Sequence, residues 1–124
     1  MKLLTQMFTA LRNGQTARKQ VVELKYSTFC WNVLTVLFFH GYIQGVQKNN
    51  HKILVVLKYV NDQPAIRKLK QISTSSQRVY SSSKDLVPTH HGLGLLLIST
   101  SKGILSSTKA QEAQVGGEIL CEIF

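Results

Sequence analysis

Acidic residues are scarce in this 124-residue chain, and the shortage limits the chemistry it could perform. Six Asp and Glu stand against fifteen Lys and Arg, which gives a formal net charge of +9. Because the few carboxylates are not paired in a plausible site, general acid–base catalysis has little to work with. The chain is therefore predicted not to be an enzyme. So basic a surface favours polyanionic partners, either nucleic acid or an anionic membrane.

Metal and cofactor motifs are also missing. The two cysteines, Cys30 and Cys121, have no metal-binding or redox spacing, and both lie in apolar stretches, so both are expected to be buried, reduced thiols. His90 and His91 are adjacent, but neighbouring side chains point apart and no cysteine or carboxylate cluster joins them. The sequence contains neither a P-loop nor a serine-hydrolase motif. It predicts no metal, no cofactor and no small-molecule substrate.

No apolar run is long enough to span a bilayer. The longest, Phe29 to Phe39, is about half of the ~20 residues that a span requires, and Asn32 interrupts it. It is predicted to form a buried helix. The first residues, MKLLTQMFTALRNGQTARK, are basic, acid-free and amphipathic. That composition suits a cleavable presequence, and it equally suits a first helix of the fold.

The hydrophobic periodicity predicts a mixed first half and a β-rich second half. Helices are expected near the N-terminus, ending at Asn13-Gly14, and over residues 27–40. Strands are predicted at QVVEL, YIQGVQ, KILVVLKYV, AIRKLKQIS, RVY, GLGLLLIST, GIL and EILCEIF, and a short helix at TKAQEAQ. Composition shifts at Asn61 to Pro64. The prediction is an α+β chain with an α/β module at residues 1–63 and a β-rich module at residues 64–124.

Positive charge is concentrated in the first half. Residues 1–62 hold eight bases and two acids (8 − 2 = +6), whereas residues 63–124 hold seven bases and four acids (7 − 4 = +3). After Gly103 a single lysine faces three glutamates. Any contact with a polyanion in that last segment must therefore use hydroxyls and backbone N–H groups more than charge.

A run of hydroxyls interrupts the apolar sequence near the C-terminus. Ser99, Thr100 and Ser101 separate two apolar strands, and hydroxyls that donate and accept suit the shallow minor groove of RNA. Gly103 would let the turn approach closely, and Tyr80 could stack on a base or ribose. Each residue type is also common in turns or strands for structural reasons alone. RNA binding is the function that the combination favours.

Several motifs resemble the bacterial-type family of small-subunit ribosomal protein number eight. The C-terminal signature is the most specific: GLGLLLISTSKG, the helix with Ala110 and Ala113, then GGEILC. LRNGQ, VLFFHGYI, LKY and RVY also match in order and spacing. The likeness runs nearly from end to end.

The resemblance implies a fold, a function and a set of contact residues. The α/β module would pack against the β-rich, RNA-binding module. The chain would bind the central domain of small-subunit ribosomal RNA, assist subunit assembly and neighbour other ribosomal proteins. The residues implied to bind RNA are Arg12, Asn13, Lys58, Tyr80, Ser99, Thr100, Ser101, Lys102, Gly103, Gly116, Gly117 and Glu118.

The chain also departs from the family pattern. Gln6 replaces an acid, Lys25 to Thr28 replace a Pro-Ser-Ser-Lys-like stretch, and Ser75 to Gln77 replace a Pro-Gly turn. These changes are typical of the sequence divergence of proteins made inside organelles. Because the match begins near Met7, the first helix is expected to belong to the fold, and the expected location is the mitochondrial ribosome. A plastid and the bacterial cytoplasm are the alternative locations.

Two other functions stay open on the sequence. One is a translational repressor that binds messenger RNA with the same face. The other, from a different class, is a basic protein of a membrane surface that uses its net charge and the Phe29–Phe39 helix.

Overall fold

The computed structural model describes residues 2–83 and 94–124, and its contacts divide the chain into two compact units, Met1–Arg67 and Lys68–Phe124. Helices and antiparallel sheets occur together, so the predicted α+β class is confirmed. His90 and His91, considered above as metal ligands, lie outside the described residues.

The elements of the first unit are α1 (Lys2–Thr16), β1 (Val21–Lys25), α2 (Thr28–Phe39), β2 (Ile43–Asn49), β3 (Lys52–Leu57), β4 (Tyr59–Val60) and β5 (Gln63–Pro64). The two helices accompany a three-stranded antiparallel sheet of order β1-β3-β2 and a separate ladder of β4 with β5. The apolar residues of α1 at helical spacing are buried, which explains why this segment folds as an amphipathic helix.

The end of α1 lies beyond the Asn13-Gly14 pair, so the prediction that this pair ends the helix is wrong. Gly14 instead allows close packing, because a Cβ there would lie 2.6 Å from Val22 Cγ2. The helix ends at Thr16, and Arg18 takes the left-handed conformation that often follows a helix, with φ of 58°.

Two tight turns complete the first unit. The β2–β3 hairpin turns at Asn50 and His51, and Asn50 has φ of 56°. Asn61 and Asp62 also have positive φ, and they join β4 to β5 where the sequence predicts a module boundary. The contacts group residues 64–67 with the first unit: β5 pairs with β4, and the Ile66 N–H donates to the buried Gln15 side chain.

The second unit is a sheet covered on one face by a short helix. Its elements are β6 (Leu69–Gln71), β7 (Tyr80–Ser81), β8 (Leu95–Thr100), β9 (Gly103–Ser106), α3 (Ser107–Glu112) and β10 (Gly117–Ile123). The strand order is β6-β10-β8-β9, and β7 pairs with the first part of β10. Of the strand predicted at AIRKLKQIS, only β6 is a strand in the structure. Ala110 of α3 packs with Leu96 and Ile98, which places the helix over one face of β8.

Candidate nucleic-acid interface

Three of the predicted contact residues lie in one row across the second sheet. Glu118 of β10 pairs with Tyr80 of β7 on one side and with Ser99 of β8 on the other. Directly opposite residues of antiparallel strands project from the same face. Tyr80, Glu118 and Ser99, which we call the polar row, are therefore brought together although they are far apart in sequence.

The polar row lies on the face of the sheet opposite α3. Ile98 packs with Ala110 of α3, and neighbouring residues on a strand point to opposite faces, so Ser99 points away from the helix. Tyr80 is 68% exposed, which is unusual for a tyrosine in a strand and leaves most of its ring available to a partner.

The β8–β9 turn adjoins the polar row, and Thr100 fixes its shape. The Thr100 hydroxyl donates to the Gly103 carbonyl (2.8 Å) and accepts from the Lys102 N–H (3.1 Å). Gly103 has φ of 110°, which other residues rarely adopt. Ser99 and Ser101 make no side-chain hydrogen bond to any residue within 2–83 and 94–124. Thr100 therefore stabilises the turn, and the hydroxyls of Ser99 and Ser101 have no partner among the residues that the structure describes.

Gly116 and Gly117 are needed because other backbones approach them closely. A Cβ on Gly117 would lie 2.0 Å from the Ser99 carbonyl oxygen, and one on Gly116 would lie 2.3 Å from the Ser81 carbonyl oxygen. Both distances are too short for any side chain. The glycines thus allow β7, β10 and β8 to align closely enough to form the polar row.

Arg78 contacts the polar row, although it was not among the predicted contact residues. Its Nη1 lies 3.3 Å from Oε2 and 3.4 Å from Oε1 of Glu118. Glu118 is the only acid of the polar row, and this ion pair offsets a charge that would repel phosphate. The basic residue of the RVY motif, two positions before Tyr80, was the sequence feature that could have indicated it.

The remaining predicted contact residues lie in the first unit. Arg12 and Asn13 are adjacent and exposed on α1. Lys58 follows β3, and its ammonium group donates to the Gly41 carbonyl at 3.1 Å, just beyond the C-terminal end of α2.

Both cysteines are free and buried, as the sequence predicted. Burial raises the pKa of Cys121 to about 12 and also raises the pKa of Cys30. Within residues 2–83 and 94–124, no group of three His, Cys, Asp or Glu side chains could hold a metal ion. Over the same ranges, no helix has the length and apolar character needed to cross a membrane.

Comparison with known proteins identifies the family. The family model described as ribosomal protein S8 matches residues 2–124. The small ribosomal subunit protein uS8 of Sphingopyxis alaskensis is 44% identical over 98% of this chain and 96% of its own length. Those of Paramagnetospirillum magneticum and Ehrlichia canis are each 40% identical over the same shares of both chains.

These matches define a structural, non-enzymatic ribosomal protein. The prediction that the chain is not an enzyme is thereby confirmed. Within that class, the chain belongs to the ribosomal protein S8 family, as the resemblance indicated.

Proposed function

We propose that this protein is a component of the small ribosomal subunit, where it binds the central domain of the ribosomal RNA, assists assembly and contacts neighbouring ribosomal proteins. The single observation that carries the proposal is the polar row beside the β8–β9 turn. This surface holds an exposed aromatic ring on a hydrogen-bonded sheet, together with two serine hydroxyls that have no partner within residues 2–83 and 94–124.

The chemistry of this surface suits a folded RNA helix. The hydroxyls of Ser99 and Ser101 can donate to base edges and accept from ribose 2′-hydroxyls in the minor groove. Tyr80 offers a face for stacking on a base or ribose. Lys102 adds salt-dependent attraction to phosphate. Because the Thr100 hydrogen bonds already fix the turn, little further ordering is needed on binding.

Replacing Ser99 and Ser101 together with Ala tests this role. Each net hydrogen bond is worth about 1 kcal/mol, so affinity for a central-domain RNA fragment is expected to fall roughly tenfold or more. The measurement is titration of the labelled fragment at physiological salt, alongside thermal unfolding of the free protein. Unfolding should not change, because neither hydroxyl has a partner among the described residues.

Two further variants serve as controls. The pair Ser75→Ala and Thr108→Ala removes two exposed hydroxyls of the same unit outside the turn and should leave affinity unchanged. Thr100→Val should instead lower stability by about 1 kcal/mol, because it removes hydrogen bonds within the turn. An affinity of the double serine variant equal to that of the unaltered protein would reject the assigned role of the turn.

We also propose a mitochondrial location. The departures from the family pattern at Gln6, Lys25–Thr28 and Ser75–Gln77 support it, while the relatives named above are bacterial. Cell fractionation followed by sucrose-gradient sedimentation tests the proposal. Co-sedimentation with the small subunit of mitochondrial ribosomes is expected, whereas recovery only with plastid or cytoplasmic ribosomes would contradict it.

A further inference from the structure

Two phenylalanines at the C-terminal end of α2 are exposed. Phe39 is 78% exposed and Phe38 is 42% exposed, and their ring centroids lie 5.8 Å apart. The other phenylalanine of α2, Phe29, is only partly exposed, and four further residues of the helix are buried. Neither Phe38 nor Phe39 is among the buried core residues, and two neighbouring exposed aromatic rings form an apolar patch of the kind that contacts partners.

A lysine shares a recess with one of these rings. Lys58 and Phe38 line one open recess of about 450 Å³. Lys58 also lines a second recess of about 410 Å³, whose wall includes Tyr42, Asn61 and Arg67. All these residues belong to the first unit. The α2-end surface is defined as Phe38, Tyr42, Lys58 and Arg67, which line the two recesses that share Lys58, together with Phe39, whose ring lies next to that of Phe38.

The Lys58 ammonium group is held in place at that point. It donates one hydrogen bond to the Gly41 carbonyl at 3.1 Å, and an ammonium has three donors, so two have no acceptor within residues 2–83 and 94–124 and can donate to a ligand. Gly41 has φ of +80°, the left-handed conformation that ends α2. The turn of the chain after α2 thus positions the cation between the two recesses.

The positive charge of this region favours an anionic partner. The first unit holds nine bases and two acids (9 − 2 = +7), and neither recess is lined by a carboxylate side chain. Aromatic rings interleaved with Lys and Arg are the combination that binds single strands, because every base has a face for stacking and every nucleotide a phosphate. An apolar protein partner would use the rings but would gain nothing from the two cations.

We infer that the α2-end surface binds single-stranded RNA, with a base stacked on Phe39 and phosphates at Lys58 and Arg67. The family resemblance implies an RNA contact for Lys58, and the inference adds Phe39, Arg67 and a single-stranded partner, in the other unit from the polar row, so it goes beyond the function proposed above. The chemistry that recognises the partner is base stacking together with phosphate charge, without dependence on sequence.

The test uses the full chain and an oligouridine of about eight nucleotides, a length within the usual site range. Phe39→Ala and Phe39→Leu should each weaken binding by about tenfold, since stacking is lost, whereas Phe39→Tyr should retain it. Lys58→Gln should reduce the slope of log affinity against log salt by about 0.7. Val21→Ala and Lys19→Gln remove an exposed apolar group and an exposed cation of the same unit that line neither recess, and should change little.

Crosslinking provides a second readout. Ultraviolet irradiation of the complex with 4-thiouridine oligonucleotide should label Phe38 or Phe39, identified by mass spectrometry. Equal oligonucleotide affinity for Phe39→Leu and the unaltered protein would overturn the inference. So would a Phe39→Ala variant that loses co-sedimentation with the ribosome but keeps oligonucleotide binding, because that result would mark a protein contact.

The serine variant separates this inference from the proposed function. Ser99→Ala with Ser101→Ala should leave oligouridine binding unchanged while it weakens binding of the central-domain fragment. The two proposals therefore fail independently.

Discussion

The two units differ most in how their charge is distributed. Residues 1–67 hold nine bases and two acids (9 − 2 = +7), while residues 68–124 hold six bases and four acids (6 − 4 = +2). The first unit presents cations and exposed phenylalanines. The second presents hydroxyls on a sheet in which two glycines allow neighbouring strands to approach closely. In the functions proposed above, charge attraction belongs to the first unit and shape recognition to the second, so each unit should respond to a different kind of substitution.

Glycine substitutions should give the largest difference between the two units in the loss of unfolding free energy. In the second unit, Gly117→Ala places a Cβ 2.0 Å from a backbone oxygen, and backbone cannot move aside as a side chain can. We expect a loss of roughly 3 kcal/mol in the free energy of unfolding. Urea denaturation measures it.

Gly45→Ala is the matched control in the first unit. Its Cβ would meet Val56 at 3.9 Å, an ordinary van der Waals contact, so stability should change by less than about 1 kcal/mol. Equal losses for the two variants would show that the close alignment of β10 with β8 is not what requires glycine.

The cysteines should differ from an ordinary thiol in their response to alkaline pH. Burial raises the pKa of Cys121 from 9.0 to about 12. The neutral thiol is therefore favoured in the folded state, and its contribution to stability is complete below pH 9 and is lost as pH rises towards about 12.

Comparison with Cys121→Ala isolates this effect. The unaltered protein should lose about 1.4 kcal/mol per pH unit above 9 relative to the variant, measured by urea denaturation at several pH values. Cys30→Ala should change the pH dependence in the same direction, because the pKa of Cys30 is also raised. A stability difference between the unaltered protein and Cys121→Ala that stays constant from pH 8 to 11 would contradict the assignment.

Removal of an ion-paired glutamate should give the smallest difference between the two units in the loss of unfolding free energy. Glu118 is 13% exposed in its pair with Arg78, whereas both Lys52 and Glu23 are more than half exposed. Glu118→Gln should lower the free energy of unfolding by roughly 0.5–1 kcal/mol, and Glu23→Gln by less than about 0.5 kcal/mol. Thermal unfolding at low and high salt distinguishes them. A larger loss for Glu23→Gln would reverse the expected order.

The sequence predicts elements well where a periodic apolar pattern decides the structure. The long α2 and β8 segments are examples, because their burial follows directly from their composition. The end of α1 was mispredicted because Gly14 looks like a helix stop locally, while its actual constraint is a side chain of β1. The short β4–β5 ladder depends on two positive φ angles that composition alone does not fix.

The same difference between local patterns and long-range contacts applies to the residues of the candidate site. A resemblance to a family can indicate Ser99 or Tyr80 one at a time. Their alignment with Glu118 depends on strand register across β7, β10 and β8, which pairs residues some twenty to forty positions apart. The same long-range pairing brings Arg78 to Glu118, so no local pattern could assign that ion pair.

The position of β10 has a consequence for synthesis of the chain. It pairs with β8 on one side and with β6 and β7 on the other, yet it follows all three in sequence. The sheet of the first unit closes within residues 21–57, so it can form while the rest of the chain is still being made. β6 and β7, by contrast, wait for residues 117–123. The polar row is therefore created only when its last strand is translated, which delays any RNA contact that depends on it until the second unit has folded.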